Sequence, residues 1–185
     1  MRIFALLALC FAAVAAVRNH AQRIVGGSVT TIGQYPSMAG LLYSWDSNIY
    51  WQDCGGVILN SRSILTVAQC GAGDIASRWR FRVGSSWANN GGSIHQVNQI
   101  ITHPSYNPST SDSDISILRS ASAIFYNDYV QPASIAGPNY IVADNTTVWA
   151  AGWGVTYNGS HAGSEQLRHV QVMTINQNTC RNNYS

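Results

Sequence analysis

Cys54-Gly55-Gly56-Val57-Ile58-Leu59, a polar turn at Asn60-Ser61-Arg62-Ser63, and then Ile64-Leu65-Thr66-Val67-Ala68-Gln69-Cys70 form the stretch that decides the fold. Two apolar runs flank a turn and a cysteine closes each outer end, which reads as a hairpin-like unit with Cys54 bridged to Cys70. The alternative is a pair of free core thiols. An oxidising compartment favours the bridge.

Outward from this hairpin the same pattern recurs. Strand-like runs at Met38 to Tyr43, Trp51 to Leu59, Ile64 to Ala68, Arg78 to Val83, Ile94 to Thr102, Ile115 to Leu118, Val148 to Ala151 and Leu167 to Met173 are separated by Gly, Ser, Asn and Pro. Many short strands at this spacing, with no amphipathic helix of useful length, predict an all-β sandwich or barrel. The clearest single strand is Arg78-Trp79-Arg80-Phe81-Arg82-Val83. Its alternation predicts Trp79, Phe81 and Val83 on a core face and the three arginines in water. Such an arginine stripe is either a solvated strand face, the expected reading, or an anion site.

Composition narrows the function classes. Of the 185 residues, 46% are hydrophobic and 10% are charged, enough apolar content for a sizeable core and too little charge for disorder or a charge-driven nucleic-acid binder. All ten basic residues are arginine. Arginine keeps its proton at pH values where lysine loses it, so an alkaline working fluid is one reading and lineage bias the other.

The chain opens on Arg2, an apolar run from Ile3 to Ala12, and small residues at Ala13-Val14-Ala15 or Val14-Ala15-Ala16. Residues 1–16 therefore read as a secretory signal peptide, too short for a comfortable membrane span. Cys10 would leave with it, so Cys54, Cys70 and Cys180 remain, an odd count. Residues 17–23 form a polar segment ending in Arg23, followed by Ile24-Val25-Gly26-Gly27. Without residues 1–23 the chain carries seven arginines against eight acids, a formal charge of −1, so its basicity belongs to the leader.

Cys-Gly-Gly before an apolar strand, Thr-Val-Ala-Gln-Cys after it, and Arg-Ile-Val-Gly-Gly upstream together resemble the trypsin-like serine proteases. The wording is similar to insect midgut trypsins, and the resemblance runs from residue 23 to residue 185. It implies a chymotrypsin-like double β-barrel: an N-terminal barrel over residues 24–130 and a C-terminal barrel from residue 131. It also implies a zymogen cleaved between Arg23 and Ile24 by an activating trypsin-like protease. The new ammonium of Ile24 would then need a buried carboxylate, because an unpaired buried charge is expensive.

The chemistry of that family needs a serine nucleophile, an imidazole base, a carboxylate that orients it, and backbone donors for the oxyanion. Asp112-Ser113-Asp114-Ile115-Ser116-Ile117-Leu118 resembles the family's carboxylate strand, which assigns Asp114 the orienting position. The residue before the second cysteine is the family's histidine, and here it is Gln69. A carboxamide has donors and an acceptor and no usable proton affinity near neutrality, so it cannot shuttle the proton. His20, His95, His103, His161 and His169 fall in the leader, turns or strands away from the hairpin, and none is expected to substitute.

Trp149-Ala150-Ala151-Gly152-Trp153-Gly154, Leu167-Arg168-His169-Val170 and Cys180-Arg181-Asn182-Asn183-Tyr184 resemble the opening of the second barrel. No Gly-Asp-Ser-Gly-Gly-Pro follows before Ser185, so the expectation is a truncated second barrel over residues 131–185. The nucleophile, oxyanion loop, Ile24-receiving aspartate, specificity pocket and partner of Cys180 would then all be missing. The resulting expectation is a secreted, extracellular homologue, with an alkaline gut lumen as one setting, a serine endopeptidase by family and inactive as written. The alternatives are an incomplete form of an active digestive endopeptidase cleaving after Arg or Lys, and an inactive decoy or inhibitor-binding module. Protein substrates or protease inhibitors are the implied partners, with no nucleic acid, membrane, cofactor or metal. Asn145-Thr146-Thr147, Asn158-Gly159-Ser160 and, at the terminus, Asn183-Tyr184-Ser185 are glycosylation sequons.

Overall fold

The computed structural model describes residues 24–157 and 162–183. The leader, Arg23, Asn158, His161, Tyr184 and Ser185 lie outside the described residues, and with them the signal-peptide reading, the Asn158 sequon and the end of the Asn183 sequon.

Among the described residues nine strands account for nearly all regular structure: β1 (Ser28–Val29), β2 (Met38–Tyr43), β3 (Trp51–Asn60), β4 (Ser63–Thr66), β5 (Trp79–Val83), β6 (Ser93–Thr102), β7 (Ser116–Ser120), β8 (Thr147–Gly152) and β9 (Arg168–Met173). The two α-helices are short, α1 (Ala68–Gly71) and α2 (Gln177–Asn183). The predicted runs thus become strands with shifted ends: Val67 and Ala68 leave β4, Ala68 beginning α1, and Arg78, Ile115 and Leu167 fall before β5, β7 and β9.

Strands β2-β3-β4-β7-β6-β5 close into an antiparallel barrel, and β1-β9-β8 form a separate three-stranded sheet. Closure satisfies every edge of the six-stranded unit. Its interior is filled by Leu41, Ile58, Ile64, Trp79, Phe81, Val83, Val97 and Leu118, among others. The hairpin of β3 and β4 pairs Val57 with Leu65 and Ile58 with Ile64. Gly56 permits their close approach, because a Cβ there would lie 2.6 Å from Ile64 Cγ2 and 2.7 Å from the Leu65 carbonyl oxygen.

The Trp79-Phe81-Val83 face is buried as its alternation predicts. The opposite face differs from expectation. Arg82 is also buried, donating Nη1 to the Gly91 carbonyl and Nη2 to that of Asn89 at 3.0 Å, so it clamps the turn between β5 and β6. Burial lowers its pKa, with the Glu165 charge opposing that shift. Arg78 falls before β5, in a 3-10 turn over Ala76–Arg78, and pairs with Asp74 at 3.4 Å.

The first strand does not join the barrel whose range contains it. Ser28 pairs with His169 and Val29 with Arg168, so β1 extends the second sheet. Alternation alone cannot distinguish these partners, since a two-residue strand has too few side chains to specify its register. Trp153, Leu167, Ile32 and Ala88 form a small second core between the sheet and the barrel.

Candidate active site

The β4–β7 pairing ends with Thr66 opposite Ser116. Continuing that antiparallel register brings Asp114, two residues before Ser116, beside the start of α1. There Asp114 Oδ1 accepts the backbone N–H of Gln69 at 2.8 Å. The disulfide joins Cys54 of β3 to Cys70 of α1 across a Cα–Cα distance of 6.4 Å, which fixes this short helix to the barrel wall. Ala68 and Cys70 are buried and Gln69 is exposed to solvent.

The structure therefore brings Gln69 and Asp114 together from residues 45 apart in sequence. Val67, the cap residue of α1, makes no side-chain cap bond. The Asp114 carboxylate supplies an acceptor at this helix terminus instead, through the backbone N–H of Gln69.

None of the described histidines approaches this pair by hydrogen bond. His95 is buried, stacked on Phe81, and lies between Ser93 Oγ and Ser122 Oγ at 3.1 Å each; its burial lowers its pKa. His169 Nδ1 shares a 2.7 Å hydrogen bond with the Tyr35 hydroxyl and packs on Trp149. His103 Nδ1 accepts the Ser105 N–H.

The residues after the expected cleavage point are already seated. Ile24 is buried, and its backbone N–H donates to the Val155 carbonyl at 2.8 Å. Arg168 Nη2 holds the Gly27 carbonyl at 2.8 Å. Gly27 itself has no room for a side chain, because a Cβ would lie 2.6 Å from both the His169 carbonyl oxygen and Ile24 Cγ2.

The sequence model of the Trypsin family matches residues 24–185. The chain belongs to the trypsin family. Among curated proteins this trypsin-family chain is 61% identical to Trypsin CFT-1 of Choristoneura fumiferana and 58% identical to Trypsin, alkaline B, of Manduca sexta. Each alignment takes in 100% of this chain and 72% of the relative. Among solved structures, the scabies mite inactivated protease paralogue S-D1 matches with a TM-score of 0.79 at 25% identity, over 87% of this chain and 66% of that one. The fold is all-β and chymotrypsin-like, with one closed barrel and the second sheet described above.

Cys180, on α2, is a free cysteine. Asn145 is exposed, as a sequon requires, in a left-handed backbone conformation (φ 59°) that asparagine tolerates better than most residues. Among the described residues no group of three or more His, Cys, Asp or Glu could hold a metal ion, and no helix is long and apolar enough to cross a membrane.

Proposed function

We propose that this chain is a secreted trypsin-like protease homologue without hydrolytic activity, Gln69 occupying the place of the general base. The observation that carries the reading is the Gln69–Asp114 contact: the Asp114 carboxylate takes the backbone N–H of the residue at the general-base position, and the carboxamide of that residue cannot take up a proton. Loss of the equivalent base alone in an unrelated serine protease costs on the order of a million-fold in turnover. The test is hydrolysis of an arginine ester by the purified chain after treatment with a trypsin-like activator. No turnover is expected, and turnover abolished by a serine-directed covalent inhibitor would overturn the reading.

In this reading Arg23–Ile24 is the activation bond, and Asn145 and Asn158 are the glycan acceptors. The protein works in an extracellular, alkaline fluid. The absence of lysine supports the last point, as does the word alkaline in the name of the Manduca sexta relative.

The 61% identity to an insect trypsin favours a second reading, an active digestive endopeptidase cleaving after Arg or Lys. Gln and His codons differ only in the third base. Sequencing the transcript through codon 69 separates the two, since a histidine codon there removes the basis of inactivity. The likeness to an inactivated mite paralogue supports a third, a decoy that occupies protease inhibitors. Failure to retain any inhibitor in a pull-down would remove it.

A further inference from the structure

An open groove of about 420 Å³ lies on the barrel wall, lined by Ser47, Tyr50, Ser77, Arg80, Gln96 and Asn98, with Ala76 and Val97 supplying apolar surface. Neither Gln69 nor Asp114 contributes to it. Arg80 is the only charged residue in its lining, and it is held on two sides. Its guanidinium lies over the Tyr50 ring, 3.9 Å from the centroid, and its Nε donates to Gln96 Oε1 at 2.9 Å.

Both supports are themselves fixed. Gln96 Nε2 faces the carbonyls of Trp79 at 2.8 Å and Ser77 at 3.2 Å, so the amide cannot turn its oxygen away from Arg80 without losing these bonds. The Tyr50 hydroxyl is 2.7 Å from the Ser77 carbonyl and donates to it. Among the described residues no Asp or Glu pairs with Arg80, whereas neighbouring Arg78 has Asp74. The result is a planar fork with its ring face and Nε engaged and its charge uncompensated.

A planar fork carrying one positive charge and rimmed by neutral hydroxyl and amide groups matches a carboxylate, which takes two parallel N–H donors and carries one negative charge. A phosphate dianion would leave charge unmatched here. The loop beside the groove presents Trp45, Ile49 and Trp51 to solvent. It is organised by Asp46, whose Oδ1 accepts the Ser44 hydroxyl at 2.8 Å and the Asn48 N–H at 2.9 Å. These exposed side chains supply apolar contact next to the fork.

We propose that this groove is a peptide-binding site in which Arg80 receives a carboxylate flanked by apolar residues. The carboxylate is the side chain of an acidic residue within the peptide. The proposal does not depend on whether the chain is catalytically active.

The test uses nitrogen-15-labelled full chain and three probes: acetyl-Gly-Phe-Glu-Phe-Gly-amide, its glutamine counterpart, and acetyl-Gly-Phe with a free terminal carboxylate. The expected result is displacement of the Ser77, Gln96 and Asn98 amide resonances by the glutamate peptide. The glutamine peptide should bind about tenfold more weakly, the scale of a charge-assisted hydrogen bond at a partly solvated site. Binding by the terminal-carboxylate probe alone, or by neither carboxylate probe, overturns the proposal. Arg80→Met should abolish the preference for glutamate over glutamine. Asn98→Glu, an exposed rim change that leaves the barrel core untouched, should abolish it by placing an internal carboxylate at the fork. Equal binding of the glutamate and glutamine peptides, or a preference that survives either substitution, overturns the site. Displacement of the peptide by inorganic phosphate more effectively than by acetate overturns the assignment to a carboxylate.

Discussion

Asp114 Oδ1 holds the backbone N–H of Gln69 at 2.8 Å, so the carboxylate closes the start of α1 from the segment leading into the neighbouring strand β7. The residue assigned to orienting a catalytic base has a structural task that survives the loss of that base. Replacing it by alanine is expected to lower stability by about 1 kcal/mol, the usual cost of losing a helix cap. Asp114→Asn, which keeps an acceptor oxygen, should recover part of that loss. Urea titration of the three proteins measures both, and an unchanged midpoint in Asp114→Ala would show that the contact contributes nothing.

Gln69→His should change stability by less than about 0.5 kcal/mol, because the side chain is exposed and the Asp114 contact uses the backbone. The introduced imidazole, beside a carboxylate, should titrate above the ordinary histidine value of about 6.5. Proton NMR of its ring resonances as a function of pH reads this directly. A value at or below 6.5 would mean that the carboxylate no longer acts on this position.

Reduction of the Cys54–Cys70 disulfide, or Cys54→Ala with Cys70→Ala, should cost about 3 kcal/mol for a loop of this length. Part of the effect should be local, since α1 has only four residues and depends on the bridge for its position. Hydrogen exchange at the Cys70 and Ala72 amides should rise more than at Leu118. Uniform acceleration across the barrel would assign the whole effect to the unfolded chain.

His95 gives stability a defined pH dependence. Burial holds its folded pKa below the unfolded value, so the unfolded chain binds a proton first as pH falls. Its contribution is fully present above about pH 6.5 and declines as pH drops through that value towards the lower folded pKa. His95→Gln should flatten the stability profile below about pH 6.5 relative to the parent chain. Parallel profiles would exclude His95 as the source.

The second sheet carries exposed apolar side chains at Trp149, Val172 and Met173, with Ile141 and Ile175 in the flanking segments. Residues 24–185 expressed alone are expected to self-associate through this surface. Sedimentation velocity checks it, and a monomer with a sharp cooperative unfolding transition would refute it.

Most of the barrel was legible because its information is local. The turn at Asn60 to Ser63, the flanking cysteines and the alternation in β5 each specify their element within a few residues. The fate of Arg82 was not legible: its alternation points it away from the Trp79-Phe81-Val83 face, and only the turn folding back from Gly91 and Asn89 encloses it. Arg80 and Arg82 look equivalent in sequence and end in different surroundings, one in an open groove and one in a carbonyl clamp. The approach of Asp114 to Gln69 became readable only through the family resemblance, since nothing near either residue indicates the other.

The pairing of β1 with β9 bears on the order of assembly. Gly27 meets Arg168 across a sequence separation of 141, whereas the Cys54–Cys70 bridge spans only 16. Contacts that close long loops form late, and synthesis delivers the N-terminal part first. The first strand to emerge must therefore wait beside a finished barrel until β9 has been made. Throughout that interval the ribosome-bound chain presents an unpartnered N-terminal segment, a natural target for a holding chaperone or an early protease.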